Sequence, residues 1–275
     1  MHWQTTRFRI DLSQPRVMGI VNVTPDSFFD GGQHAATEQA IAHCNRLVEE
    51  GADILDIGGE STRPGAESPS VAHELARVLP VLRHAVTLRV PISVDTSEPR
   101  VMQEALALGV DIVNDVRSLQ RPGALKVVAA HPKAGVCLMH MRGEPGTMQT
   151  MTDYADVVTE VGAWLHQRAG EVQQAGIAPE RITVDPGIGF AKSSEHNIAL
   201  LVRQHELADL GWPLLVGWSR KGTLGKITGR PVEQRQAASV AAALVAAQRG
   251  AAVVRVHDVA ATVDAIRVWR AASAG

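Results

Sequence analysis

Short, mainly hydrophobic runs alternate with longer amphipathic stretches along the whole chain. The runs at 17–21, 54–57, 92–94, 111–113, 136–139, 182–184, 214–216 and 253–256 read as buried strands. Between them, apolar residues recur at helical spacing. Ile41, Cys44 and Val48 share one face over 37–50, and Leu75, Val78, Leu79 and Leu82 over 71–83. Val157, Val161, Trp164 and Leu165 do so over 154–174. Further helices are predicted over 99–108, 122–130, 195–207, 233–249 and 259–271, with Ser97 as an N-cap and Pro99 in the first helical turn. Gly51, Gly109 and Gly176 mark helix ends. Residues 1–16 read as an irregular lead-in, of which 7–12 alternate enough for an edge strand.

Strands alternating with helices imply a parallel sheet with helices outside. Eight such units closing on themselves predict an α/β fold, a single-domain (β/α)8 TIM barrel over residues 1–275. An open doubly wound sheet is the alternative, but it calls for a nucleotide-type glycine turn after the first strand. Here that turn reads NVTPDSF. Polar residues stand at the carboxyl end of each predicted strand: Asn22, Glu60, Asp95, Asn114 with Asp115, His140, Asp185, Arg220 with Lys221, and Arg255 with His257. A barrel gathers these ends around one mouth. Two long glycine- and proline-rich loops, after Asn22 and after Ile57, would join them there, and loops of that length are commonly functional.

Composition narrows the classes. Hydrophobic residues make up 45% and charged residues 20%, with a net charge of −2, so no nucleic-acid or membrane surface is indicated. The N-terminus carries no run long enough for a signal peptide, and the apolar run 237–247 is too short to span a bilayer. Cys44 and Cys137 fall on apolar faces and read as buried free thiols, which fits a cytoplasmic location.

By chemistry, Asp95, Asn114 and Asp185 offer acceptors and an amide for a flat, nitrogen-rich ring, and Lys221 a donor for a ring carbonyl. Arg63, Arg220, Arg255 and His257 are cationic donors suited to phosphate, helped by Thr62 and the Gly58-Gly59 turn. Each group also has a plainer reading. A lone Asp95 or Asp185 can be a cap or a structural ion-pair member, and Asn114 a cap. Arg220 and Lys221 can be a solvated pair, and His257 can cap beside Asp258. No histidine pair has the spacing of a zinc site. The recurrence of such groups at one structural position favours the site.

Eight segments carry a family resemblance: MGIVNVTPDSFFDGG, DIGGESTRPGA, ISVDTSEP, IVNDVRSL, CLMHMRGEPGTMQ, DPGIGFAKSSEHN, LLVGWSRKG and VVRVHDV. In this order they resemble the dihydropteroate synthases of folate biosynthesis over essentially the full length. The resemblance implies a transferase that joins 6-hydroxymethyl-7,8-dihydropterin pyrophosphate to p-aminobenzoate. It implies that Asp95, Asn114, Asp185 and Lys221 hold the pterin, with Arg255 on or near its ring, and that Asn22 ligates Mg2+. Thr62, Arg63, Arg255 and His257 would bind pyrophosphate. Phe28, Thr62, Pro64, Phe190, Ser219 and Arg220 would shape the aminobenzoate pocket, where sulfonamides also bind. Met139 and Gly217 complete the substrate-binding set, although a methionine there more often fills core. Asp95, Asp185, Lys221, Arg255 and His257 are the expected catalytic groups, and a homodimer is expected. Three positions depart from the family: Phe29 replaces a small polar residue, Ala191 a glycine and Gly222 a common serine. Two other classes were weighed, a methyl-folate methyltransferase module and a non-catalytic pterin-binding barrel. The first has no need of the pyrophosphate set, and the second would show degraded end motifs.

Overall fold

The computed structural model describes residues 1–24, 32–61 and 68–273. Eight parallel strands form one sheet: β3 (Arg16–Asn22), β4 (Ile54–Gly58), β5 (Ile92–Asp95), β6 (Ile112–Asp115), β7 (Gly135–Met139), β8 (Ile182–Asp185), β9 (Leu215–Val216) and β10 (Val253–Val256). They pair in the order β8-β7-β6-β5-β4-β3-β10-β9. A parallel bridge between Val184 and Leu214, with the Val184 amide donating to the Pro213 carbonyl at 3.0 Å, joins the two ends. The sheet is therefore the expected (β/α)8 barrel. Around it lie α1 (Gly32–Glu49), α2 (Val71–Ala85), α3 (Pro99–Ala107), α4 (Ala124–Ala130), α5 (Val157–Gln174), α6 (Ser194–Val202), α7 (Gln204–Ala208), α8 (Gly222–Thr228), α9 (Gln236–Gln248) and α10 (Val259–Ser273). No helix among the described residues is long and apolar enough to cross a membrane. Cys44 on α1 and Cys137 on β7 are free and buried, as expected.

Successive residues of a strand face opposite sides, so one strand serves two cores. Val17, Leu55, Val113, Val136 and Val254 face outward and pack in a cluster with Leu47, Val78, Met102, Leu165 and Val259 of the helices. Their neighbours Met18, Ile54, Ile112, Cys137, Leu215 and Val253 face inward and form a separate cluster at the amino ends of the strands. Each fully buried aliphatic side chain contributes about 1.5–3 kcal/mol. One pleat nearer the carboxyl ends, the inward positions become polar: Asp56, Asp95, Asn114 and Arg255. The barrel is thus apolar at one end and charged at the other.

The predicted irregular lead-in is instead an antiparallel hairpin, β1 (His2–Gln4) paired with β2 (Arg9–Asp11). It plugs the apolar end. Trp3 is fully buried in the inner cluster with Ile10 and Leu12, and its indole N–H donates to the Arg181 carbonyl at 2.9 Å. Other expectations also need correction. Ser97 does not cap α3; Glu98 holds the N-cap position without a side-chain bond, and the Ser97 hydroxyl donates to Asp115. The stretch after Lys221, where no helix is predicted, contains α8, whose Thr223 and Leu224 are buried and whose end is marked by left-handed Gly229. The helix read over 195–207 breaks at Arg203 into α6 and α7.

Candidate active site

The charged end is built from inward positions on neighbouring strands. Arg255 of β10 donates through Nε to Asp56 Oδ2 at 2.5 Å and through Nη2 to Asp95 Oδ2 at 2.8 Å. Asn114 Nδ2 donates to the same Asp56 oxygen at 3.0 Å. Asp56 is completely buried, and its Oδ1 has no hydrogen-bond partner, nor have the buried Ser93 and Thr183 hydroxyls. Burial pushes the Asp95 carboxyl up, against the pull of Arg255. Burial also opposes the Arg255 charge, but Asp56 and Asp95 more than offset this and raise its pKa. One guanidinium thus bridges two carboxylates beside the Asn114 amide.

Asp185 ends β8 and its Oδ1 accepts the Gly187 amide at 2.7 Å. Burial raises Asp185 to about 6, opposed by that hydrogen bond and by Lys221, Arg255 and Lys192. Burial lowers Lys221 to about 8, opposed by Asp185. Lys221 Nζ lies 4.2 Å from the centre of the Phe190 ring, a cation–π distance. The turn after β8 comes this close because Gly189 has φ +81 and a Cβ there would stand 3.2 Å from Lys221 Cδ. The strand-end groups Asp95, Asn114, Asp185, Lys221 and Arg255, expected from spacing, thus lie around one mouth, and Phe190, named by the resemblance, lies beside Lys221.

The remaining expected residues divide. His257 Nδ1 lies 2.9 Å from Ser219 Oγ, which also accepts the His257 amide at 3.1 Å, so these two neighbour each other. Met139 is nearly buried and faces inward beside Asp185. Gly217 leaves open space against Arg255, whose Cβ would be 4.0 Å from a Cβ at that position. Asn22 stands at the end of β3 opposite Gly58. Arg220 differs from Lys221: its backbone is left-handed at φ 60, and its guanidinium is turned to Asp258 at 3.0 Å. The reading of these two as a solvated pair is therefore not met. Phe28, Phe29, Thr62, Arg63 and Pro64 lie outside the described residues.

Asp56 and Arg117 are the residues that sequence reasoning missed. Asp56 lies inside an apparently apolar run, but it is two residues from inward Ile54 and two from Gly58, a period that marks it as inward. Arg117, nearly buried, donates to Glu60 at 3.1 and 3.2 Å, to Glu144 at 2.7 Å and to the Ser97 hydroxyl at 2.9 Å. It ties the loops after β4, β6 and β7 together.

A barrel mouth lined by a carboxylate pair, an amide, a lysine and an arginine defines an enzyme for a planar, polar heterocycle. The family described as pterin binding enzymes is matched by residues 18–257. The dihydropteroate synthase of Neisseria meningitidis serogroup B is 53% identical, covering 98% of this chain and 96% of the relative. A solved structure of Xanthomonas albilineans dihydropteroate synthase with 4-aminobenzoic acid superimposes with a TM-score of 0.94 at 50% identity, covering both chains fully. The Yersinia pestis dihydropteroate synthase in a sulfonamide drug complex gives 0.94 at 45% identity, again over both full chains. The chain belongs to the pterin-binding enzymes and, within them, to the dihydropteroate synthase family of transferases.

Proposed function

We propose that this chain condenses 6-hydroxymethyl-7,8-dihydropterin pyrophosphate with p-aminobenzoate, giving 7,8-dihydropteroate and pyrophosphate. The observation that carries this reading is the polar half of the barrel interior, where Asp95, Asn114, Asp185 and Lys221 converge beside the Arg255 guanidinium. Ring N–H groups meet the carboxylates, the ring carbonyl meets Lys221, and the open face at Gly217 leaves room for the ring beside Arg255. Phe190, Ser219 and Arg220 border the aminobenzoate, and a sulfonamide competes for the same place. Met139 closes the buried side.

The reacting carbon carries pyrophosphate, and the incoming aniline nitrogen is a weak nucleophile. The C–O bond breaks first, with its electron pair leaving on pyrophosphate. Arg255 and His257 receive that charge, with Thr62 and Arg63 as further donors. The electron-rich dihydropterin spreads the resulting positive charge, and Asp95 and Asp185 stabilise it electrostatically. The C–N bond then forms, and the ammonium proton passes to water without an obligate general base.

A Mg2+ ion needs few protein oxygens when phosphates supply the rest. Asn22 offers one carboxamide oxygen, and no cluster of three or more His, Cys, Asp or Glu among the described residues offers a fuller cage. That donor set fits an ion held mainly by pyrophosphate, whose charge it neutralises when bound. A homodimer is part of this reading: Ile227 and Val232, 63% and 43% exposed, and the exposed Ala237 and Ala241 of α9 offer apolar surface to a second copy. Sedimentation at a single mass of one chain would remove the dimer.

The test is pyrophosphate release from the pterin substrate, with and without p-aminobenzoate and Mg2+. Dihydropteroate formed only when the amine and Mg2+ are both present is the expected result. Pterin binding without any turnover would leave a binding barrel instead. A carbon isotope effect showing a tight associative transition state would overturn the dissociative path alone.

A further inference from the structure

Lys192 is a buried lysine, 4% exposed, with no carboxylate within ion-pair distance among the described residues. Its Nζ has three acceptors: His140 Nδ1 at 3.0 Å, the His140 carbonyl at 3.3 Å and the Phe190 carbonyl at 2.9 Å. These match the three N–H bonds of an ammonium when His140 carries its proton on Nε2 and leaves Nδ1 as an acceptor. The bonds join the end of β7 to the turn after β8. That turn is under backbone tension. Ala191 is left-handed at φ 51, and a Cβ at left-handed Gly187 would collide with the same His140 carbonyl. The turn carries Asp185 at its start, Gly189 against Lys221, and the Phe190 ring under the Lys221 ammonium.

Resting on the reading of the mouth as a pterin site, we propose that Lys192 is a positioning residue: its ammonium clamps the turn after β8 onto β7 and sets Asp185, Phe190 and Lys221 for the pterin. The charged groups facing it are Asp185 from β8, Lys221 from the segment after β9, and Arg142 from the segment after β7. Burial lowers Lys192 to about 7, and burial first, then Lys192 and Arg142, hold His140 at about 2, leaving it a neutral acceptor.

The test compares kcat/KM against pH for wild type, K192M and K192R. In K192M, kcat/KM falls about 100-fold through misplaced groups, and the acid limb set by Asp185 moves to higher pH because a nearby positive charge is gone. In K192R the rate recovers substantially and the acid limb returns. A folded K192M with an unmoved acid limb and a rate within about twofold of wild type overturns the clamp. If K192M does not fold, K192Q carries the same comparison. Wild type that makes no dihydropteroate overturns the functional reading instead.

Discussion

Both ends of this barrel bury a carboxylate against an arginine, and the two pairs are built differently. At the plugged end Asp111 is fully buried and saturated. It accepts Arg7 through the backbone amide at 2.9 Å and the guanidinium at 2.5 Å, and the Ile92 amide at 2.9 Å. Arg7 thereby pins the hairpin to the barrel. At the mouth Asp56 is equally buried, but one oxygen is left unpartnered and its arginine is shared with Asp95. A saturated pair has nothing left to offer a ligand, whereas an unsaturated one keeps charge and hydrogen-bonding capacity directed at the cavity. The difference separates a structural ion pair from a working one inside the same cylinder.

The sharpest way to break this comparison is to delete one partner at each end. Arg255→Met leaves Asp56 buried without its cation and, in the proposed reaction, removes a donor to pyrophosphate. Initial rates should fall about 1,000-fold, read as dihydropteroate formed per folded molecule. Asp111→Ala should lower unfolding free energy by about 3 kcal/mol in denaturant melts, while kcat/KM of the folded fraction stays near wild type. Activity lost in parallel with stability in the second variant would dissolve the distinction.

The pH profile sharpens the comparison further. In the proposed reaction Asp185 is ionised and Lys221 protonated to hold the ring. Burial places the first near 6 and the second near 8. Below the lower value the carboxylate gains a proton, and above the upper value the lysine loses one. The kcat/KM profile should therefore drop about tenfold per pH unit outside both limbs. Asp111→Ala should leave both limbs in place. The smallest effect belongs to Ala191, whose φ of 51 suits glycine better. Ala191→Gly should raise stability by about 0.5 kcal/mol in the same melts, the relief of strain being partly offset by a more flexible unfolded chain.

Much of this was legible in the sequence because apolar runs and their polar ends follow from the two-residue period of a strand. The barrel, all eight of its strand positions to within two residues at either end, and the convergence of Asp95, Asn114, Asp185, Lys221 and Arg255 all come from that period. What escaped depends on long-range contact. Trp3 finds its hydrogen-bond acceptor 178 residues away, so nothing local marks β1. The helix α8 contains Gly222 and Gly225, poor helix formers that are overridden because Thr223 and Leu224 are buried and Asn197 donates to the Thr223 hydroxyl at 3.0 Å. Asp56 was hidden by the two isoleucines around it. The role of Lys192 was illegible because its acceptors are two main-chain carbonyls and a ring nitrogen, set by the turn rather than by any motif. The family resemblance supplied what spacing could not: which ring, which amine and which leaving group.

The most direct test of the account is calorimetric titration of a 7,8-dihydropterin into wild type, Asp95→Ala and Asp111→Ala. Saturable binding by wild type and Asp111→Ala, with little or none by Asp95→Ala, is the predicted result. Equal binding by all three would show that the charged end of the barrel is not where the pterin sits.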